Sequence, residues 1–336
     1  MNTRSLPRNA LQGRERDGAQ PGAPEQRHWW PVVRTVGTWL FFAAVAALMW
    51  RYARTMDWDE VWDSLTETPA PALAIAIGLA ATSHLLYSCF DLIGRRYTGH
   101  NLPTRTVMAV NFVSYAFNLC IGSVIGALGF RFRLYSRLGL STGVITRIVS
   151  MSMLTNWLGY KLLAGILFVV HPLPLPPSWH MGNHGLQWIG AGLIFTSASY
   201  IVACWRMGDR TWTVRGHELY LPPWRMAVLQ MGISCANWAL MAGIVHVLLG
   251  AKLPYTDVLT VLLVGAIAGV VAHVPAGLGV FEFVFVALLS HRIGEGHLIA
   301  ALLGYRAIYY VAPLGVATVM YLIMEARARQ PSNSAA

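Results

Sequence analysis

Glu282 and Arg306 stand in runs that otherwise read as membrane-buried: the acid in VAHVPAGLGVFEFVFVALL (271–289), the base in LLGYRAIYYVAP (302–313). An ionisable group at that depth costs free energy and normally serves a partner or a pathway. Arg306 is the obvious counter-ion for Glu282. The pair reads either as a lock on the fold or as a place where substrate or a proton is handled. Pro275, Gly277 and Gly279 break the run just before Glu282, so the limb beginning at Val280 presents a helix N-terminus. Its unpaired N–H groups and positive dipole end suit an anion, and Glu282 in the first turn is itself favoured there.

A second constellation lies in NLCIGSVIGALGFRFR (118–133), where Asn118, Gly122 and Gly126 interrupt an apolar run and Arg131 and Arg133 follow. A guanidinium fork binds phosphate oxygens bidentately, so arginines at the base of a broken helix suit a phosphodiester headgroup. The same arginines, with Arg137, also fit plain cytoplasmic anchoring; Arg131, nearest the break, has the stronger claim to a ligand. Asp91 and Glu282 are read as the only acids within apolar segments. His84 and Asp91 are seven apart on one helix face, and Asp91 precedes Arg95 by four, which predicts a helix-end salt bridge. Lys161 could pair with Asp91 or Glu282, or snorkel outward. Asn111 and Ser114 predict interhelical hydrogen bonds, and His246 and His273 read as packing residues.

These residues need elements to hold them. With 336 residues, 55% hydrophobic, 12% charged and a net charge of +10, the chain has too few charges for a soluble domain. Eight apolar segments lie at 33–50, 69–94, 105–127, 144–170, 186–205, 226–250, 256–290 and 298–324, several near the length that crosses a bilayer. The arginines cluster in short loops, which is the positive-inside pattern rather than a nucleic-acid footprint. Residues 1–30 read as a disordered basic cytoplasmic tail, 31–325 as the membrane domain and 326–336 as a second cytoplasmic tail. In the acidic loop 51–68, Trp58, Val61, Trp62 and Leu65 recur at helical spacing, predicting a short amphipathic helix on the outer interface.

A full span at 105–127 would put the arginine-rich loop 131–147 outside, against the rule. The glycines instead predict a hairpin that enters and leaves on the cytoplasmic side. The segment 256–290, broken at PAGLG with a second limb (280–290) too short to cross, predicts a matching hairpin from the outer face. The expected fold is an all-α polytopic membrane protein with about six full transmembrane helices and two re-entrant helical hairpins. Span, hairpin, span at 69–170 is mirrored at 226–324, an inverted-repeat arrangement of the kind transporters use.

Three stretches resemble a known family. PAGLGVFE (275–282) is similar to the P-G-G-(L/I)-G-x-x-E signature of the lysylphosphatidylglycerol synthase transmembrane-region family, with Ala276 where Gly is more usual. NFVSYAFNLCIGSVIGALGFRFRLYSRLGLS (111–141) resembles that family's Gly-rich hairpin and the arginines after it, and YSCFDLIGRR (87–96) its second span. The resemblance covers about residues 35–325 and points to the flippase part of these proteins, including the stand-alone YbhN-like members. It implies movement or presentation of a phospholipid or lipid-linked headgroup at the bacterial inner membrane, both termini cytoplasmic. Aminoacyl-lipid synthesis is not implied, because no segment here could form the aminoacyltransferase domain. By position, Pro275, Gly277, Gly279 and Glu282 match one motif, and Asn118, Gly122, Gly126, Arg131 and Arg133 the other.

No cofactor or metal is expected. Cys89, Cys120, Cys204 and Cys235 stand at no ligand spacing, and no Walker, H-E-x-x-H or rhomboid-type serine motif occurs. Two rival readings stay open: a non-transporting membrane partner of a lipid or envelope biosynthesis enzyme, and an intramembrane lipid-modifying transferase. A homo-oligomer is compatible with all three.

Overall fold

The computed structural model describes residues 58–172, 183–208, 211–214, 217–272 and 277–329, with scattered positions between 43 and 54. The chain divides into Met1–Ala46 and Ala47–Ala336, and the described residues fall almost wholly in the second unit. The tail 1–30, nearly all of the first apolar segment, His273 and Pro275 lie outside them.

Helix α1 (Trp58–Glu67) forms where the apolar residues recur at helical spacing among acids. Helices α2 (Ala70–Ser88) and α3 (Phe90–Thr98) run on through Cys89 as one stretch of 29 residues. At 1.5 Å per residue that is about 43 Å, more than a hydrocarbon core of about 30 Å. Gly99, at φ 70°, ends it by donating its N–H to the Arg95 carbonyl. Five stretches among the described residues are long and apolar enough to cross a membrane: 70–98, 142–170, 184–207, 224–248 and 295–326. They contain α2–α3, α6 (Thr142–Val170), α7 (Asn183–Met207), α8 (Trp224–Leu248) and, after the hairpins below, α11 (Glu295–Arg306), a π-helical turn π2 (Ala307–Val311) and α12 (Ala312–Arg329). The last helix carries on past the boundary at 325 expected for the membrane domain.

Two further apolar segments among the described residues double back. Helix α4 (Thr104–Ile121) stops at Gly122, whose φ of 91° and ψ of 168° suit glycine alone. A π-helical stretch π1 (Ser123–Gly129) and α5 (Phe130–Arg137) follow. The rings of Phe117 and Phe130 stack with centroids 4.1 Å apart. Thirteen residues of unbroken helix would hold them about 20 Å apart, so the chain has reversed between them. Gly126 makes the return possible, since a Cβ there would collide with the backbone of Phe117 and Asn118. The second reversal joins α9 (Tyr255–Val271) to α10 (Val280–Ile293). A Cβ on Gly265 would lie 2.9 Å from the Phe281 ring, sixteen residues later. Helix α10 has 14 residues rather than the eleven expected, about 21 Å, still short of a crossing.

One departure from an all-helical chain appears among the described residues. In the loop between α7 and α8, strands β1 (Thr211–Val214) and β2 (His217–Tyr220) pair antiparallel with Thr211 opposite Tyr220. The sequence reading of 206–225 as an arginine-bearing loop did not anticipate this ribbon.

The core is shared by α2, α6, α8, the α9–α10 hairpin and α11–π2, with Leu262, Phe285, Leu302 and Tyr305 fully or almost fully buried. Helices α6 and α8 touch backbone to backbone at Gly159, where a Cβ would overlap Ser234 and the Cys235 nitrogen. Gly159→Leu is therefore expected to destabilise the protein by about 1–3 kcal/mol through overpacking, read as a lower thermal midpoint in detergent.

Candidate functional site

The tips of the two hairpins meet at a cavity of about 660 Å³. The first hairpin contributes Asn118, Gly122 and Ser123, the second Gly269, Gly277 and Phe281. Aromatic rings make much of the wall. Tyr87 stacks on Tyr115 with centroids 3.5 Å apart, and Tyr305 stacks on Phe281 at 5.9 Å. Arg131, on α5, closes one side.

Several polar groups on this wall have no hydrogen-bond partner among the described residues. They are the side chains of Asn118, Ser123 and Asn156 and the buried hydroxyl of Tyr305. Asn156 already receives Ser234 Oγ–H at 2.9 Å and Trp238 Nε1–H at 3.3 Å on its backbone carbonyl, which leaves its amide to the cavity.

Arg131 is 2% exposed and held from several directions. Its Nε donates to Asp91 Oδ2 at 3.0 Å, and Nη2 donates to Asp91 Oδ1 at 3.3 Å, to Ser152 at 3.2 Å and to Asn111 Oδ1. Nη1 donates to the Ala127 carbonyl at 3.1 Å. Tyr135 completes the cluster by donating to Asp91 Oδ2 at 2.9 Å. Nη2 has two hydrogens for its three acceptors, so at least one of them is shared. The helix-end pair expected between Asp91 and Arg95 does not form: Asp91 is fully buried and faces α5, while Arg95 donates to Thr104 Oγ1 at 2.7 Å. Burial decides it, because a charge removed from water pairs with the cation removed alongside it.

Glu282 and Arg306 do pair, as expected. Arg306 Nη2 donates to Glu282 Oε2 at 2.9 Å and Nε to Oε1, while Gly279 N–H donates to Glu282 Oε2 at 2.9 Å. The carboxylate thus caps the N-terminus of its own helix. Arg306 also reaches the Gly277 carbonyl at 3.4 Å and lies 5.4 Å from the centre of the Tyr310 ring. The pair stands behind the cavity wall made by Gly277 and Tyr310, not on it.

The other predicted residues scatter. Arg133 donates through Nε to the Tyr321 hydroxyl at 2.7 Å and pairs with Glu325 at 3.3 Å; Arg137 pairs with the same carboxylate. His84 lies beyond the cavity's Tyr115 wall, with Nε2 3.1 Å from the Tyr309 carbonyl oxygen. Lys161 reaches neither Asp91 nor Glu282 and is half-buried on α6. Asn111 donates across helices to the Tyr87 carbonyl at 2.8 Å, whereas Ser114 bonds within its own helix to Val110.

Asp91 and Glu282 are not the only acids in apolar segments. Asp257, 4% exposed in the first turn of α9, pairs with Arg292 and lies 2.7 Å from His171 Nε2. The hairpin reading itself carried the signal: folding 256–290 in half brings the start of α9 to the end of α10, hence Asp257 to Arg292. Glu325, the partner of Arg133 and Arg137, was legible only as the acid nearest the arginines of the final turn.

Apolar spans packed around two broken hairpins, with a largely aromatic cavity bearing a few polar groups at their tips, define a multi-pass α-helical membrane protein. The chain belongs to the lysylphosphatidylglycerol synthase TM region family, whose model matches residues 38–317. It is similar to inner membrane protein YbhN of Escherichia coli (strain K12), 46% identical over 302 residues that cover 90% of this chain and 95% of that protein. It is also similar to the phosphatidylglycerol lysyltransferase of Staphylococcus haemolyticus, 22% identical over 300 residues, 86% of this chain but 34% of that one. These relations agree with the apolar spans in making it a multi-pass bacterial inner-membrane protein.

Proposed function

We propose that the chain moves or presents a phospholipid or lipid-linked headgroup across the inner membrane, with the headgroup seated in the cavity between the hairpin tips. One observation carries this reading: Asn118, Ser123, Asn156 and Tyr305 turn unpaired polar groups toward a cavity bordered by Arg131. The buried Tyr305 hydroxyl without a partner costs about 1–3 kcal/mol, and an anionic, hydroxyl-bearing headgroup would satisfy it together with the side chains of part-exposed Asn118 and Asn156 and of exposed Ser123. In this reading both reversals are re-entrant, one from each face. The two span–hairpin–span halves then form an inverted pair around the site. Arg131 lends positive potential at the cavity border, while Arg133 and Arg137 fix the first hairpin to α12.

The test is transbilayer movement of headgroup-varied fluorescent phospholipids in reconstituted vesicles, beside an Asn118→Leu/Asn156→Leu double variant. Movement above protein-free vesicles is expected, falling about tenfold or more in the variant for the loss of hydrogen bonds to a charged headgroup, with the thermal midpoint unchanged. Equal movement in both proteins would remove the cavity from the mechanism.

A further inference from the structure

A second, larger depression of about 930 Å³ opens between α2, α4 and the π2–α12 stretch. The two spaces are distinct. On α4, Met108 and Phe112 face this groove, whereas Tyr115 and Asn118 face the central cavity. A buried seam divides them, in which the Tyr309 hydroxyl lies 2.8 Å from Ser83 Oγ and 2.9 Å from the Tyr115 hydroxyl.

The groove is apolar along its length and cationic at one end. On α2 it runs from Leu73 to Ser88, about 22 Å at helical rise, against about 15 Å for half a hydrocarbon core. Small residues, Ala81, Ala109 and Ala312, keep it open while Ile77, Leu85 and Val316 stand exposed along its rims. Arg105, in the first turn of α4, closes one end. It is exposed and makes no hydrogen bond or ion pair among the described residues, beside a helix start that has no side-chain cap. His84, 3% exposed, lies on the wall with its Nδ1 buried and lacking a partner.

We propose that this groove is a phospholipid site that seats one acyl chain between α2, α4 and α12, with the lipid's phosphate held by Arg105 and the open N-terminus of α4. Charge selects the occupant. A phosphodiester accepts both guanidinium and backbone N–H donors, which a neutral apolar ligand cannot do. An acyl chain below it matches a narrow channel running away from that cation. The inference goes beyond the central cavity and does not depend on transport.

The test is photolabelling of the full chain in nanodiscs by phosphatidylglycerol with a diazirine in one acyl chain, set against diacylglycerol carrying the same chain. Labelled residues are mapped by mass spectrometry. Label at Met108, Phe112 and Met320 should exceed that at Trp188 and Phe195, which stand 78% and 72% exposed on α7 and report bulk lipid. Arg105→Ala should lower the groove label about tenfold for phosphatidylglycerol, a loss of about 1.4 kcal/mol, and leave the diacylglycerol label unchanged. Ala81→Phe/Ala109→Phe should abolish it while the α7 label persists, which shows that the variant is folded. Groove label no higher than that on α7, equal labelling by diacylglycerol, or indifference to Arg105→Ala overturns the site. A groove closed by the chain's own segment 33–50 would give no groove label, with the same consequence. Groove label without transbilayer movement defeats only the proposed function, and movement without groove label defeats only this site.

Discussion

Asp91→Ala is expected to destabilise the protein by about 3–5 kcal/mol, the largest loss from any single side chain here. The Asp91 side chain is fully buried and that of Arg131 is 3% exposed, so removing the carboxylate leaves a guanidinium charge in the interior without its counter-ion. Tyr135 loses its acceptor in the same step. Unfolding in detergent should show a much lower midpoint, or no folded protein at all. Asp91→Asn keeps an acceptor for Arg131 and Tyr135 and should lose about half as much. Replacing both partners, as in Asp91→Leu/Arg131→Met, removes the stranded charge yet should not restore full stability. Asn111 Oδ1 and the Tyr135 hydroxyl would remain buried without partners, at about 1–3 kcal/mol each. If Asp91→Ala unfolds at the parent's midpoint, Arg131 is reaching water or another anion, and the cluster is no anchor for the first hairpin.

The sequence carried the scaffold further than it carried the contacts. Period and hydropathy located the apolar segments, and loop arginines showed that 105–127 could not run straight. Gly122 and Gly277–Gly279 marked the reversals because chain reversal demands φ values near +60° to +90°, which side chains resist. Glu282 with Arg306 was legible because an acid just past a break and a base inside a later span each stand alone in otherwise apolar text. The Asp91 partner was missed because short-range spacing favoured Arg95. Forty residues separate Asp91 from Arg131, and only the return of the first hairpin closes that distance. Asn156 and Tyr305 were missed as cavity residues for a similar reason, since nothing in one helix says which face another helix leaves uncovered. The β-ribbon was overlooked because four-residue strands give too short an alternation to stand out among charged loop residues.

Glu282→Ala is expected to abolish lipid movement and to cost about 2–4 kcal/mol, less than Asp91→Ala because the Glu282 side chain is 20% exposed while that of Arg306 is 3% exposed. The carboxylate fixes Arg306 and caps α10 at Gly279, so its loss frees the start of the limb that carries Phe281 into the cavity wall. The geometry favours a lock over substrate handling, because the pair sits behind Gly277 and Tyr310 rather than on the cavity wall. A neutral pair decides the matter. Glu282→Gln/Arg306→Gln keeps an acceptor for the Gly279 N–H and allows a side-chain hydrogen bond without any charge to strand. It should recover most of the stability, and for a lock it should recover most of the lipid movement with it. Recovered stability with movement still absent would instead put the carboxylate in the transport step itself, as a proton carrier or a contact to the moving headgroup. The double variant therefore separates the two roles that a buried acid beside a broken helix can play.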